Sequence, residues 1–221
     1  MQNLDSIGER IRMEFDARTQ ARDRTLARAR LLTRHSANAI RAIHRSEQAL
    51  AHENLAEARE LAAAMKSDLA VYPGLYYAGY TQDALKEFCE ASITCALIEN
   101  QPLPTPEELS AEYATYLNGL AEVTGELRRR CLDILRQGYS QEAERLLGCM
   151  DDIYAILVTL DYPDAITNGL RRQTDLVRGI VERTRGDLTI SLREQHLEQS
   201  LARLSAQLSE RDGDRAHPQG V

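Results

Sequence analysis

The chain has 221 residues, 43% hydrophobic and 28% charged, with no Trp, two Phe and a net charge of −7. That length supports one substantial core, and no apolar run approaches the roughly 18 residues that span a bilayer. Ala, Leu, Arg and Glu dominate and sustained period-2 alternation is missing, so an all-α fold is expected and a sheet protein excluded.

Residues 4 to about 48 form one long helical pattern, with Ile7, Ile11, Phe15, Leu26, Leu32, Ile40 and Ile43 marking its buried side. Between Arg10 and Arg45 stand ten arginines and three acids, a local charge of +7, so the remainder of the chain carries −14. Guanidinium matches phosphate oxygens bidentately, which makes this segment a candidate phosphate-binding surface. A helix whose arginines pair with acids elsewhere in the assembly fits the same composition, and both readings stand. Residues 46–69 give an Ala-rich second helix, stopped by Val71-Tyr72-Pro73-Gly74. Tyr76, Tyr77 and Tyr80 follow, suited either to base stacking or to core and interface packing.

The stretch Asp83–Ile98 contains no Gly or Pro and repeats Leu85, Phe88, Ile93 and Leu97 at helical spacing. Asp83, Glu87 and Glu90 stand at i, i+4 and i+7, which lines three carboxylates along one helix face. Like charges so stacked repel unless solvent or a cation offsets them, so the stripe is either solvated or faces a divalent metal. Pro102, Pro104 and Pro106 form a rigid connector. Thr105-Pro106-Glu107-Glu108 reads as a helix start with a capping box, and residues 113–137 as an amphipathic helix closed by Gly138.

Ser140 opens the next helix. Leu146, Leu147, Met150, Ile153, Tyr154, Ile156 and Leu157 make its second half apolar nearly all round, so it is expected deep in the core. Asp151 and Asp152 interrupt that surface, and buried aspartates are normally paired or metal-bound. After Tyr162-Pro163-Asp164, residues 165–185 read as a helix with a basic outer face (Arg171, Arg172, Arg178, Arg183, Arg185). Residues 187–210 read as a separate helix whose Leu197, Leu201, Leu204 and Leu208 repeat at 4, 3 and 4, suited to helix docking or a short coiled coil. Residues 211–221 have too little apolar content to fold and are expected to be a disordered tail. The four cysteines form no CxxC pair and no metal-spaced set with His, so they read as core residues of a reducing compartment. With no leader pattern at Met1–Asp5, a cytoplasmic location is expected. Phosphate-loop, dinucleotide, HExxH and GxSxG motifs are absent. No His stands three residues after a Glu, which sets aside a ferritin-like di-iron centre.

Three segments together resemble the translin family, and within it the branch of translin-associated factor X (TRAX). Ile40-Arg41-Ala42-Ile43-His44-Arg45 closes the first helix as the family's apolar run ending in His-Arg does. Lys86-Glu87-Phe88-Cys89-Glu90-Ala91 resembles the TRAX Glu-aromatic-x-Glu-Ala motif. Tyr116-Leu117-Asn118-Gly119-Leu120-Ala121-Glu122-Val123-Thr124-Gly125-Glu126-Leu127 is similar to its run ending in TGEL. The resemblance covers residues 5 to 186, so residues 1–186 are expected to form one translin/TRAX-like domain, with the 187–210 helix and the tail outside it.

The resemblance implies a seven-helix bundle assembled into a closed, octamer-like oligomer, alone or with a translin-like chain. It implies RNA-binding and single-stranded DNA-binding. In the TRAX branch it also implies endonuclease action, phosphodiester hydrolysis with magnesium or manganese. Carried over residue by residue, the catalytic, metal-holding carboxylates are Glu87, Glu90 and Asp152. Asp152 rests on matching an aromatic to Tyr154; Asp151 fits with a one-residue shift, and Ile153 replaces the family's glycine. Hard carboxylate oxygens suit Mg²⁺ or Mn²⁺, which would polarise the phosphoryl oxygen and acidify a water. Asp83 and Glu126 are candidates for outer groups around that centre. Arg22, Arg30, Arg34, Arg41, Arg171, Arg172 and Arg178 are the candidate strand-holding residues. A non-catalytic translin-like binding oligomer is the alternative, and a purely structural helical scaffold is a third reading.

Overall fold

The computed structural model describes residues 3–215, which form eight helices and no strand. They are α1 (Leu4–His44), α2 (Gln48–Asp68), α3 (Pro73–Tyr76), α4 (Gly79–Ile98), α5 (Tyr113–Leu135), α6 (Gln141–Thr159), α7 (Asp164–Thr167) and α8 (Leu170–Arg215). The all-α expectation therefore holds, with two of the eight helices a single turn long. No described helix is long and apolar enough to cross a membrane.

The long helices stack around α4. On one side α4 packs against α1, which also carries α2; on the other it packs against α5, which in turn holds α6 and α8. This central place explains why α4 buries ten side chains, among them Leu85, Phe88, Cys89 and Ile93. The principal core joins Leu32, Met65, Phe88, Leu127, Leu146, Met150 and Leu157 from five helices. A smaller cluster, with Ile40, Ile43, Ala51, Ala91 and Cys95, locks the α1–α2 turn onto α4. Cys89, Cys95 and Cys131 are buried free thiols, each pushed up to about 12 by burial, which suits inert packing.

Several expectations are corrected. At 41 residues α1 is about 60 Å long, and its buried residues begin only at Ala21. Ile11 and Phe15, read as buried, are exposed, because the first half of α1 extends past the elements it packs on. The capping box at Thr105 forms: Thr105 N–H donates to Glu108 (2.7 Å) and Glu108 N–H to Thr105 Oγ1 (3.2 Å). No helix propagates from it, because Ser110 turns to φ 53° and redirects the chain into α5 at Tyr113. The expected 165–185 helix is cut by Asn168 and Gly169, at φ 51° and 81°. Conversely, Gly186 does not end a helix: α8 runs unbroken for 46 residues, since one helical Gly costs only about 1 kcal/mol. Of the expected tail, residues 211–215 continue α8 and 216–221 lie outside the described residues.

Helix α6 is not surrounded by core. Leu146, Met150, Ile153 and Leu157 bury one face, while Ile156 and Val158 point outward. Beyond the end of α6, Tyr113, Leu117, Leu160, Tyr162 and Ile166 line an apolar groove.

Candidate metal centre

Glu87 and Glu90 lie one turn apart on the half-buried edge of α4, facing α5. What completes the site is the closeness of that helix pair. Gly119 of α5 sits against α4 so tightly that a Cβ there would meet Lys86 O and Cys89 Cβ at 2.9 Å and Glu90 N at 3.2 Å. One turn further along α5 stands Glu122, and carboxylate oxygens of Glu87, Glu90 and Glu122 all fall within 4.8 Å of one another. All three are half-buried, and among the described residues they form the one group of three His, Cys, Asp or Glu able to share an ion.

The cluster is electrostatically tense. Burial, and then the charges of Glu122, Glu87 and Glu126, push the Glu90 carboxyl up to about 8. Lys86 partly offsets this: its Nζ lies 2.7 Å from Glu122 Oε1 and 3.7 Å from Glu87 Oε1. Burial alone would lower the ammonium's pKa; the hydrogen bond to Glu122 and the charges of Glu122, Glu87 and Asp83 raise it. Gln173 of α8 donates to the same Glu122 oxygen at 3.4 Å.

Glu126, one turn beyond Glu122, is held from the other side. Its Oε2 accepts from His44 Nε2 at 2.6 Å, and Arg129 stands at 3.7 Å. The His44 hydrogen bond lowers the Glu126 pKa, against burial, with help from the charges of His44 and Arg129. Arg130 donates to the His44 carbonyl at 3.2 Å. These contacts fix the arginine-rich C-terminal end of α1 beside the carboxylate helix.

The sequence-derived site residues divide. Glu87 and Glu90 come together, and Asp83 is exposed outside their group. Asp152 is exposed on α6 and does not join the cluster, while Asp151 pairs with Arg185 of α8 at 2.7 Å. Glu122 lies within the run ending in TGEL and carries no ligand signal of its own; the Gly three residues before it signals that α5 approaches closely. Arg22, Arg30, Arg34, Arg41, Arg171, Arg172 and Arg178 are all exposed. Arg22 pairs with Asp23, Arg178 with Glu182, and Arg41 donates to Asn38. Arg30, Arg34, Arg171 and Arg172 make no ion pair among the described residues. Arg30, Arg34 and Arg41 share the α1 face opposite its buried stripe. Of the three tyrosines, Tyr76 is buried, Tyr80 half-buried and Tyr77 exposed, with Tyr76 and Tyr77 edge to face at 5.1 Å.

Fold and site together define an all-helical protein with a three-glutamate group on paired central helices. The translin family model matches residues 20–185, and the chain belongs to that family. An uncharacterised protein of Methanocaldococcus jannaschii is 33% identical over 192 residues, covering 86% of this chain and 84% of that protein. Among solved structures, the AfC3PO–duplex RNA complex superposes with a TM-score of 0.79 at 32% identity, covering 84% of this chain and 96% of the other. AfC3PO alone gives 0.79 at 33%, covering 84% and 97%. Apo-NeC3PO gives 0.76 at 22%, covering 86% and 98%, a likeness of fold.

Proposed function

We propose that this protein is a divalent-metal-dependent RNA endonuclease of the TRAX-like branch, with Glu87, Glu90 and Glu122 as its metal-holding carboxylates. The observation that carries the proposal is the convergence of those three oxygens on half-buried helix faces. The donor set fits the ion: three hard oxygens suit Mg²⁺ or Mn²⁺, which bind through few carboxylates and leave positions for water and phosphate. A bound ion would supply Lewis-acid polarisation of a phosphoryl oxygen and a water acidified for attack on phosphorus. The chain's own part is to hold the carboxylates, with Gly119 setting the helix spacing and Lys86 screening their repulsion until an ion enters. Asp152, exposed and one helix away, is not assigned to this centre.

RNA binding is supported by the likeness to the AfC3PO–duplex RNA complex and by the exposed, unpaired Arg30, Arg34, Arg171 and Arg172. Backbone contacts by such residues give salt-dependent binding with little sequence preference, to single strands and duplexes alike. The exposed Tyr162 and Ile166, which line an apolar groove with Tyr113 and Leu117, support assembly into a closed, octamer-like oligomer. The test is incubation of labelled single-stranded and duplex RNA with the purified protein, with Mg²⁺, with Mn²⁺ and with EDTA. Cutting that EDTA abolishes while binding persists is expected. Binding with no cutting in either metal returns the protein to the non-catalytic translin-like reading.

The raised Glu90 carboxyl gives a further expectation. Its folded value of about 8 lies above the 4.5 of an unperturbed glutamate, so the folded state holds this proton more tightly. The associated stability is fully present below 4.5 and is lost as pH rises through about 8. An ion between the carboxylates removes that loss. Thermal melts should show a larger rise in Tm on adding Mn²⁺ at pH 8 than at pH 6, and equal rises would contradict the site.

A further inference from the structure

The C-terminal half of α8 takes no part in the hydrophobic core among the described residues. The last buried side chain of α8 among the described residues is Leu188, yet the helix continues to Arg215, roughly 40 Å further. The family match stops at residue 185, so this extension lies beyond the part of the chain that the family model covers. It is nonetheless patterned. Ile190, Leu197, Leu201, Leu204 and Leu208 are 58, 61, 57, 53 and 52% exposed. They occupy heptad positions d, d, a, d and a, with Glu194 at the remaining a. An isolated helix gains nothing from such a seam, because the seam is buried only by a matching one.

We propose that this segment pairs with the same segment of a second copy as a short parallel, in-register coiled coil. The charges select both the occupant and the direction. Arg193 falls at g and Glu198 at the following e, the two positions that meet across a parallel pair, so a second copy supplies two Arg193–Glu198 ion pairs. Neither residue makes an ion pair within its own chain among the described residues. An antiparallel pair that matches the same leucines (Leu197 with Leu208, Leu201 with Leu204) sets e against e and g against g, so Glu198 faces Ser205 and no Arg193–Glu198 pair forms. The Glu194 core position is bordered by the other copy's Arg193 in the parallel form, and a polar core residue fixes register at a cost in stability. With fewer than three full heptads the coil is weak in isolation. It is sustained by the high effective concentration of tails carried on an assembled body.

The test uses full-length protein carrying Leu204→Cys, a d position, or Gln199→Cys, an outward f position, under mild oxidation. The wild type, whose Cys149 is half-buried, sets the background. The parallel coil predicts that Leu204→Cys chains become mostly disulfide-linked dimers while Gln199→Cys stays at background. Adding Leu201→Glu should abolish the link without loss of helical signal from the body. Cross-linking at neither position, or equally at both, overturns the proposal. So does a Leu204→Cys link that survives Leu201→Glu.

Discussion

Glu122→Gln is expected to lower metal-dependent RNA cleavage by at least ~100-fold, with RNA binding retained, whereas Asp152→Asn leaves the rate within a few-fold of wild type. Loss of an outer hydrogen-bonding partner alone typically costs a metal site 10–100-fold, and loss of a direct ligand costs more. Glutamine preserves volume and hydrogen-bonding capacity, so α5 is undisturbed and the effect reads charge. Because Glu122 also accepts from Lys86 and Gln173, part of the change could enter through those contacts. Lys86→Met separates the two: it removes the ammonium and leaves three carboxylates, so metal-dependent cutting should persist. The reverse ranking, with Asp152 essential and Glu122 dispensable, would move the third ligand to α6.

Gly119→Ala is expected to forfeit the helix-propensity gain of an alanine and destabilise the fold by up to about 2 kcal/mol, and to weaken metal binding, whereas Gly125→Ala on the same helix stabilises by about 0.5–1 kcal/mol. Replacing a helical Gly by Ala gains roughly 1 kcal/mol of propensity at both positions. At Gly125 nothing lies within 4 Å of the added methyl, so the gain is kept. At Gly119 the methyl meets the Lys86 carbonyl at 2.9 Å, a backbone atom that yields only if α4 and α5 separate. Overpacking of this kind costs roughly 1–3 kcal/mol. Separation also draws Glu122 away from Glu87 and Glu90. Urea denaturation with Mn²⁺ titration reads both effects; equal stabilisation by the two alanines would mean that the helix spacing is not fixed by Gly119.

The helices were legible because their signals are local. The apolar spacing of Asp83–Ile98, the Pro73-Gly74 break and the Ser140 start each act within one turn, and Ser140 Oγ does accept from Glu142 N–H. The breaks that were misplaced depend on single backbone angles, at Ser110 and at Asn168–Gly169, which hydrophobic periodicity does not encode. Two of the three carboxylates were legible for the same local reason, since Glu87 and Glu90 share a helix face. The third member was not, because it depends on which helix approaches α4. Asp151 and Asp152 interrupt an apolar run and therefore looked like buried ligands. The run is amphipathic in space, and both aspartates lie toward its open side. Gly119 carried the pertinent information: it stands within an apolar run of α5, one turn before an acid, where backbone contact between helices is the physical use of a missing side chain.

The most direct measurement is the anomalous difference map of crystals soaked in Mn²⁺. A peak held by Glu87, Glu90 and Glu122 is predicted. A peak at Asp152 instead, or none between the three glutamates when they are free of crystal contacts, would contradict the proposed centre.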